Sequence, residues 1–122
     1  MTPERVVRDF CTAITRRDVR EICSFFTQDA TYHNIPLEPV SGHAAIEAVL
    51  QQFIGPASDA EFELLAIAAV GNKVLTERVD RFSIMGKRIE LPVMGTFEIT
   101  DQGKISAWRD YFDMAQFTKQ MA

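Results

Sequence analysis

The chain has 122 residues, 47% of them hydrophobic and 25% charged, with a formal net charge of −4. That supplies one domain over residues 1–122 with a sizeable core and is too short for two, while the scattered acids and the lack of a basic, aromatic-rich stripe exclude a nucleic-acid partner. No apolar run is long enough to span a membrane, and Met1 leads into an amphipathic, charged pattern where a signal peptide would be apolar, so a cytoplasmic protein without a membrane partner is expected.

Thr2-Pro3-Glu4 combines a capping residue, a proline for the first helical position and a first-turn acid. Val6, Val7, Phe10, Cys11 and Ile14 then recur at helical spacing, which predicts the first helix. From Asp18, Val19, Ile22, Cys23 and Phe26 fall on one stripe and predict a shorter second helix ending before "TQDA". "TYHNIPLEP" reads as a strand stopped by Pro36 and Pro39. Ser41-Gly42 opens a third helix whose buried side is Ile46, Val49, Leu50, Phe53 and Ile54, with Gly55-Pro56 as its stop.

After Asp59 the texture changes. "AEFELLAIAAV", "KVLTERVDRFSI", "RIELPVMGTFEIT" and "KISAWRDYFDM" are strand-like and separated by Gly71-Asn72, Gly86-Lys87 and Asp101-Gln102-Gly103, a meander of four strands. "AQFTKQMA" adds a final helical turn. Helices first and an antiparallel run after them predict an α+β fold with a curved sheet wrapped against the helices. The strand at 31–35 must join that sheet, beside a late strand. Cys11 and Cys23 lack CxxC spacing and sit on apolar helix faces, as packing thiols would. Met85, Met94, Met114 and Met121 read as packing or pocket lining, with Met94 a candidate for the outer face.

Three strands carry polar residues on faces that are otherwise apolar. Strand alternation groups Val74, Thr76, Arg78, Asp80 and Phe82; it groups Tyr32 with Asn34; and it groups Trp108, Asp110 and Phe112 against Arg109, Tyr111 and Asp113. An Arg-x-Asp pair alone is usually a solvated ion pair, but here large apolar residues flank it on the same face. If these faces line one concave surface, two carboxylates, a guanidinium, a phenol and a carboxamide meet in a cavity walled by Leu91, Val93, Phe97, Trp108 and Phe112. Two carboxylates in a dry pocket repel, so one holds a proton while the arginine stabilises the other. Tyr32 and Asn34 can grip a water beside the basic carboxylate, and the set is suited to push-pull acid-base catalysis.

"YHNIPL", "TERVD" and "AWRDYFD", in this order after three helices, resemble the limonene-1,2-epoxide hydrolase family of the NTF2-like, SnoaL-like superfamily, from the first helix to about residue 117. The resemblance implies a cone-shaped NTF2-like fold, with a curved mixed sheet around a deep pocket and pairing as a homodimer through the outer sheet face. It implies that Asp110 is the base that deprotonates a water held by Tyr32 and Asn34, that Asp80 is the acid on the epoxide oxygen, and that Arg78 bridges the two. The implied reaction is one-step hydrolysis of an apolar epoxide, terpene-like, cyclic or aryl, to a vicinal diol, with no metal and no organic cofactor. Relatives carry an N-terminal extension not seen here, a difference expected to bear on the pocket mouth, the dimer edge and the substrate range.

A covalent ester at an aspartate would need a second base, usually a histidine. His33 falls on the strand face opposite Tyr32 and Asn34, and His43 lies in the first turn of the third helix, so direct attack by water is expected. Two other functions belong to the same superfamily: a ketosteroid-isomerase-like or polyketide-cyclase-like enzyme, and a non-catalytic small-molecule-binding domain. Neither requires an arginine between two aspartates.

Overall fold

In the computed structural model, which describes residues 2–122, helix α1 (Pro3–Ile14) begins where the extended Thr2 accepts a hydrogen bond from the Arg5 amide at 3.1 Å. It buries Val6, Val7, Phe10, Cys11 and Ile14, the stripe that its spacing predicts. Asp18 caps α2 (Val19–Cys23) in the same way, through the Glu21 amide. Phe26 does not continue that stripe: it opens β1 (Phe26–Asn34), a strand several residues longer than its apolar pattern indicates. The reason is tertiary, because Phe26 pairs with Ile105, and the neighbouring Phe25 carbonyl accepts from the Ile105 amide at 2.7 Å.

A two-residue strand, β2 (Val40–Ser41), precedes α3 (His43–Phe53), where a helix start was expected. The meander then runs through β3 (Asp59–Val70), β4 (Lys73–Ile84), β5 (Lys87–Ile99) and β6 (Ile105–Tyr111), and α4 (Met114–Met121) makes two turns of helix where one was expected. Phe112 and Asp113 lie beyond β6, and Asp113 caps α4 through the Ala115 amide at 2.9 Å. Met85 neither packs nor lines a pocket. It is 81% exposed at φ 52 beside Gly86 at φ 74, in a two-residue hairpin turn that needs positive φ at both positions.

The six strands among the described residues form one mixed sheet in the order β2-β1-β6-β5-β4-β3. All neighbours are antiparallel except β1 and β6, which run parallel, so the strand at 31–35 does sit beside the last strand of the meander. A register shift between Leu64 and Ala66 marks a bulge in β3, a device that bends a strand and raises its twist. The sheet curves without closing. α1 packs on β3, β4 and β5, and α3 on β1 and β2. Between α1 and the sheet Phe10 is fully buried, edge-on to Phe25, Phe26, Phe97 and Trp108 at 5.0–5.7 Å between ring centroids. A ring buried this completely contributes about 1.5–3 kcal/mol.

α4 lies on β5, held by Gln120, whose side chain accepts from the Glu90 amide at 2.6 Å and donates to the Glu90 carbonyl at 2.9 Å. Cys11 and Cys23 are buried free thiols, as expected. No helix among the described residues is long and apolar enough to cross a membrane.

Candidate active site

β4 turns every second side chain inward. Val74, Thr76, Arg78, Asp80 and Phe82 are all buried while the residues between them are not, which puts an arginine and an aspartate two positions apart on the concave face. β6 does the same with Trp108 and Asp110. The parallel register of β1 on β6 sets Tyr32 beside Trp108 and Asn34 beside Asp110. Four side chains predicted from separate motifs therefore reach one place, with Arg78 beneath them.

Arg78 is the hub. Its Nε and Nη2 donate to the two oxygens of Asp80 at 2.9 and 2.8 Å, a bidentate pair, and Nη2 also donates to Asp110 Oδ2 at 2.9 Å. Nη1 donates to the Thr76 hydroxyl at 3.0 Å. The Arg78 side chain is 0% exposed, against 8% for Asp80 and 5% for Asp110, so only the carboxylates face the cavity. Phe62 of β3 covers the guanidinium, its ring centroid 4.7 Å from Cζ, a cation–π contact that sequence alternation alone did not single out. The other Asp110 oxygen accepts from Trp108 Nε1 at 2.7 Å. Tyr32 stacks on Trp108 at 4.0 Å and 9°, and its hydroxyl donates to Asn34 Oδ1 at 3.1 Å.

Burial in so dry a place disfavours charge, and the neighbours decide the outcome. For Asp80 burial is the largest influence and Asp110 adds to it; the Arg78 charge and hydrogen bonds oppose them, and the carboxyl ends up raised to about 6. Arg78 is also disfavoured by burial, but the two aspartates outweigh this and hold it well above its ordinary value. Burial, with Asp110 nearby, keeps the Tyr32 phenol protonated far above its usual range. Asp80 therefore keeps its proton up to about pH 6, well above the range of an ordinary carboxyl.

The cavity has a volume of about 110 Å³, the same order as the roughly 150 Å³ that holds a benzene ring. Tyr32, Asn34, Asp80 and Asp110 make its polar end. Leu91, Val93, Trp108 and Phe112 line it as expected. Phe97 does not: it is fully buried behind Trp108, stacked on it at 5.8 Å and closed off by Phe10, so it supports the floor rather than the ligand space. The remaining walls come from Val49, Leu50 and Phe53 of α3 with the adjoining Ile54, from Met114 and Phe117 of α4, and from Leu37, Phe62 and Phe82. The helical stripe of α3 reads as core, and a cavity-facing helix has the same periodicity.

His33 and His43 stay outside the site, their Nε2 atoms against the carbonyls of Leu37 and Phe26 at 2.9 Å. Among the described residues no cluster of three or more His, Cys, Asp or Glu side chains is arranged to hold a metal ion. Gly95 was not anticipated as part of the site. It stands in β5 between Thr76 and Asp110, and a Cβ there would overlap the Arg78 guanidinium and the Asp110 carboxylate. A glycine inside a strand is the signal that points to it.

A family model described as the limonene-1,2-epoxide hydrolase catalytic domain matches residues 1–122. Epoxide hydrolase EphG of Mycobacterium tuberculosis is 32% identical over 113 residues, covering 93% of this chain and 74% of that protein. The solved structure of an M. tuberculosis LEH-like epoxide hydrolase superposes with a TM-score of 0.83 at 31% identity, over 97% of this chain and 87% of that one. SalBIII, an epoxide hydrolase/cyclase-like enzyme in pyran ring formation in polyether salinomycin, gives 0.85 at 19% identity, over 93% and 92%, a likeness that shows the fold alone. With an NTF2-like sheet, a family model matching residues 1–122 and 32% identity to EphG over 113 residues, the chain belongs to the limonene-1,2-epoxide hydrolase family.

Proposed function

We propose that the protein is a cofactor-independent epoxide hydrolase that opens an apolar epoxide, terpene-like, cyclic or aryl, to a vicinal diol by direct attack of water. The observation that carries this reading is one buried arginine bridging two carboxylates at the polar end of an apolar cavity. Water sits between Tyr32, Asn34 and Asp110. Asp110 takes its proton as the oxygen attacks one ring carbon, while the C–O bond on that carbon breaks and Asp80 delivers its proton to the departing oxygen. Arg78 stays charged throughout and stabilises whichever aspartate is ionised. Solvent exchange then returns a proton from Asp110 to Asp80. Pairing of two copies through the outer sheet face, where Leu75, Met94 and Tyr111 are exposed, belongs to the same reading.

A single turnover in oxygen-18 water, with limonene oxide, cyclohexene oxide or styrene oxide, is expected to place the label in the diol and none in Asp110. Label in the aspartate would mean a covalent ester. Isomerisation of a ketosteroid without epoxide hydrolysis would favour the isomerase-like alternative, and inactivity on both would favour a binding domain.

The acid role of Asp80 has a pH signature. kcat/KM is expected to fall about tenfold per unit once pH rises past about 6, because Asp80 then loses the proton it must donate. A profile flat to pH 8 would remove Asp80 from that role. Stability follows the same sign. Since the folded value lies above the ordinary 3.8, the contribution of protonated Asp80 is complete below about 3.8 and is lost as pH rises through about 6.

A further inference from the structure

Thr76 is a polar residue on the inward face of β4 to which no step of the reaction assigns a role, and it is 1% exposed. Its hydroxyl donates to the Gly95 carbonyl at 3.0 Å and accepts from Arg78 Nη1 at 3.0 Å. A hydroxyl has a single proton, and this one is committed to Gly95, so only lone pairs are left to face Arg78. The contact therefore has a direction, and the guanidinium is pinned at the nitrogen that touches neither carboxylate.

Gly95 completes the arrangement. It faces Thr76 on one side and Asp110 on the other, so the three residues stand in a row across β4, β5 and β6. Neighbouring strands lie about 4.8 Å apart, and Arg78 must reach over β5 to meet an aspartate two strands away. It does so across the place where a side chain on Gly95 would stand. Gly95 is not among the glycines with positive φ, so the residue is needed for space and not for backbone conformation.

We propose that Thr76 and Gly95 are positioning residues, Thr76 aiming the guanidinium and the bare stretch at Gly95 giving it passage, so that one arginine holds both carboxylates at once. The catalytic consequence rests on the acid and base roles proposed above; the geometric one does not.

The test compares Thr76→Val, Thr76→Ser and Gly95→Ala. Valine keeps the shape and removes the hydroxyl, leaving Arg78 Nη1 without its acceptor. Loss of a buried partner of this kind predicts a fall in kcat of about 10- to 100-fold. KM should stay within a few-fold, since Thr76 does not line the cavity. Serine should recover most of the loss, and Gly95→Ala should lose more than valine does.

A second readout needs no turnover. Trp108 is the single tryptophan of the chain and donates to Asp110, so its emission follows the ionisation of the cluster. The groups that face the cluster are Asp80 and Arg78 on β4, Asp110 on β6, Tyr32 on β1 and Cys11 on α1. Burial holds the Cys11 thiol up at about 12, and Tyr32 and Arg78 keep their protons as well, so between pH 4 and 9 the signal follows Asp80, raised to about 6. With Arg78 loosened, the midpoint should move upward in Thr76→Val and stay in place in Thr76→Ser. If the midpoint moves in a protein that hydrolyses no epoxide, the proposed activity fails and the positioning role stands. Wild-type kcat and an unmoved midpoint in Thr76→Val, or equal damage from valine and serine, would overturn the positioning role.

Discussion

Replacing Asp110 with asparagine is expected to lower turnover by about 10²- to 10⁴-fold while the fold survives. The side chains have the same shape, and an amide oxygen can still accept from Trp108 Nε1. The amide nitrogen then points a donor at Arg78 Nη2, itself a donor, so one hydrogen bond is lost. The substitution also reaches the acid. Asp110 is one of the influences that raise Asp80, and without its charge Arg78 is free to hold Asp80 as the anion. Base and acid should therefore fail together. Diol formation measured beside a thermal melt separates this from unfolding, and activity within tenfold of wild type would exclude Asp110 as the base.

Arg78→Met should have the largest effect on stability. Removing one partner of a buried ionic cluster typically costs about 3–5 kcal/mol, because the charges left behind have no compensation. Against a total stability of about 5–15 kcal/mol, that is a large share. The loss should depend on pH. Without the guanidinium Asp80, already raised to about 6, lies further above its unfolded value, so the variant is closest to wild type in acid, where that carboxyl is protonated, and loses stability as pH rises through the raised value. Urea unfolding at pH 4 and pH 7.5 should show a deficit mainly at the higher pH; an equal deficit at both would mean that Arg78 serves as packing alone. Lysine should not substitute, since a point charge cannot grip Asp80 through Nε and Nη2 and Asp110 through Nη2 at the same time.

The inward set on β4 and β6 was legible because alternation has a period of two and each polar residue is bracketed by apolar ones on its own face. What brings Tyr32 and Asn34 to that set is the parallel pairing of β1 with β6, and no local pattern encodes a neighbour so distant in the chain. The start of β1 at Phe26 was hidden for a similar reason: helical spacing points one way, and pairing with Ile105 decides the other. Phe53 and Phe97 show the limit of reading apolar residues. Both are aromatic on buried faces, yet Phe53 meets the cavity and Phe97 lies behind Trp108, a difference set by which neighbour covers each ring. Gly95 was a visible anomaly in its strand, but its use depends on Arg78 crossing β5, which only three dimensions disclose.

The parallel junction of β1 and β6 also governs when the molecule can finish folding. During synthesis the strand bearing Tyr32 and Asn34 leaves the ribosome early and then waits, because its long neighbour β6 is made only after β3, β4 and β5. The helices and the first hairpins can gather in the meantime through nearer contacts, but Tyr32 and Asn34 meet Asp110 only when β1 and β6 pair. Assembly of the site and completion of the sheet are one event.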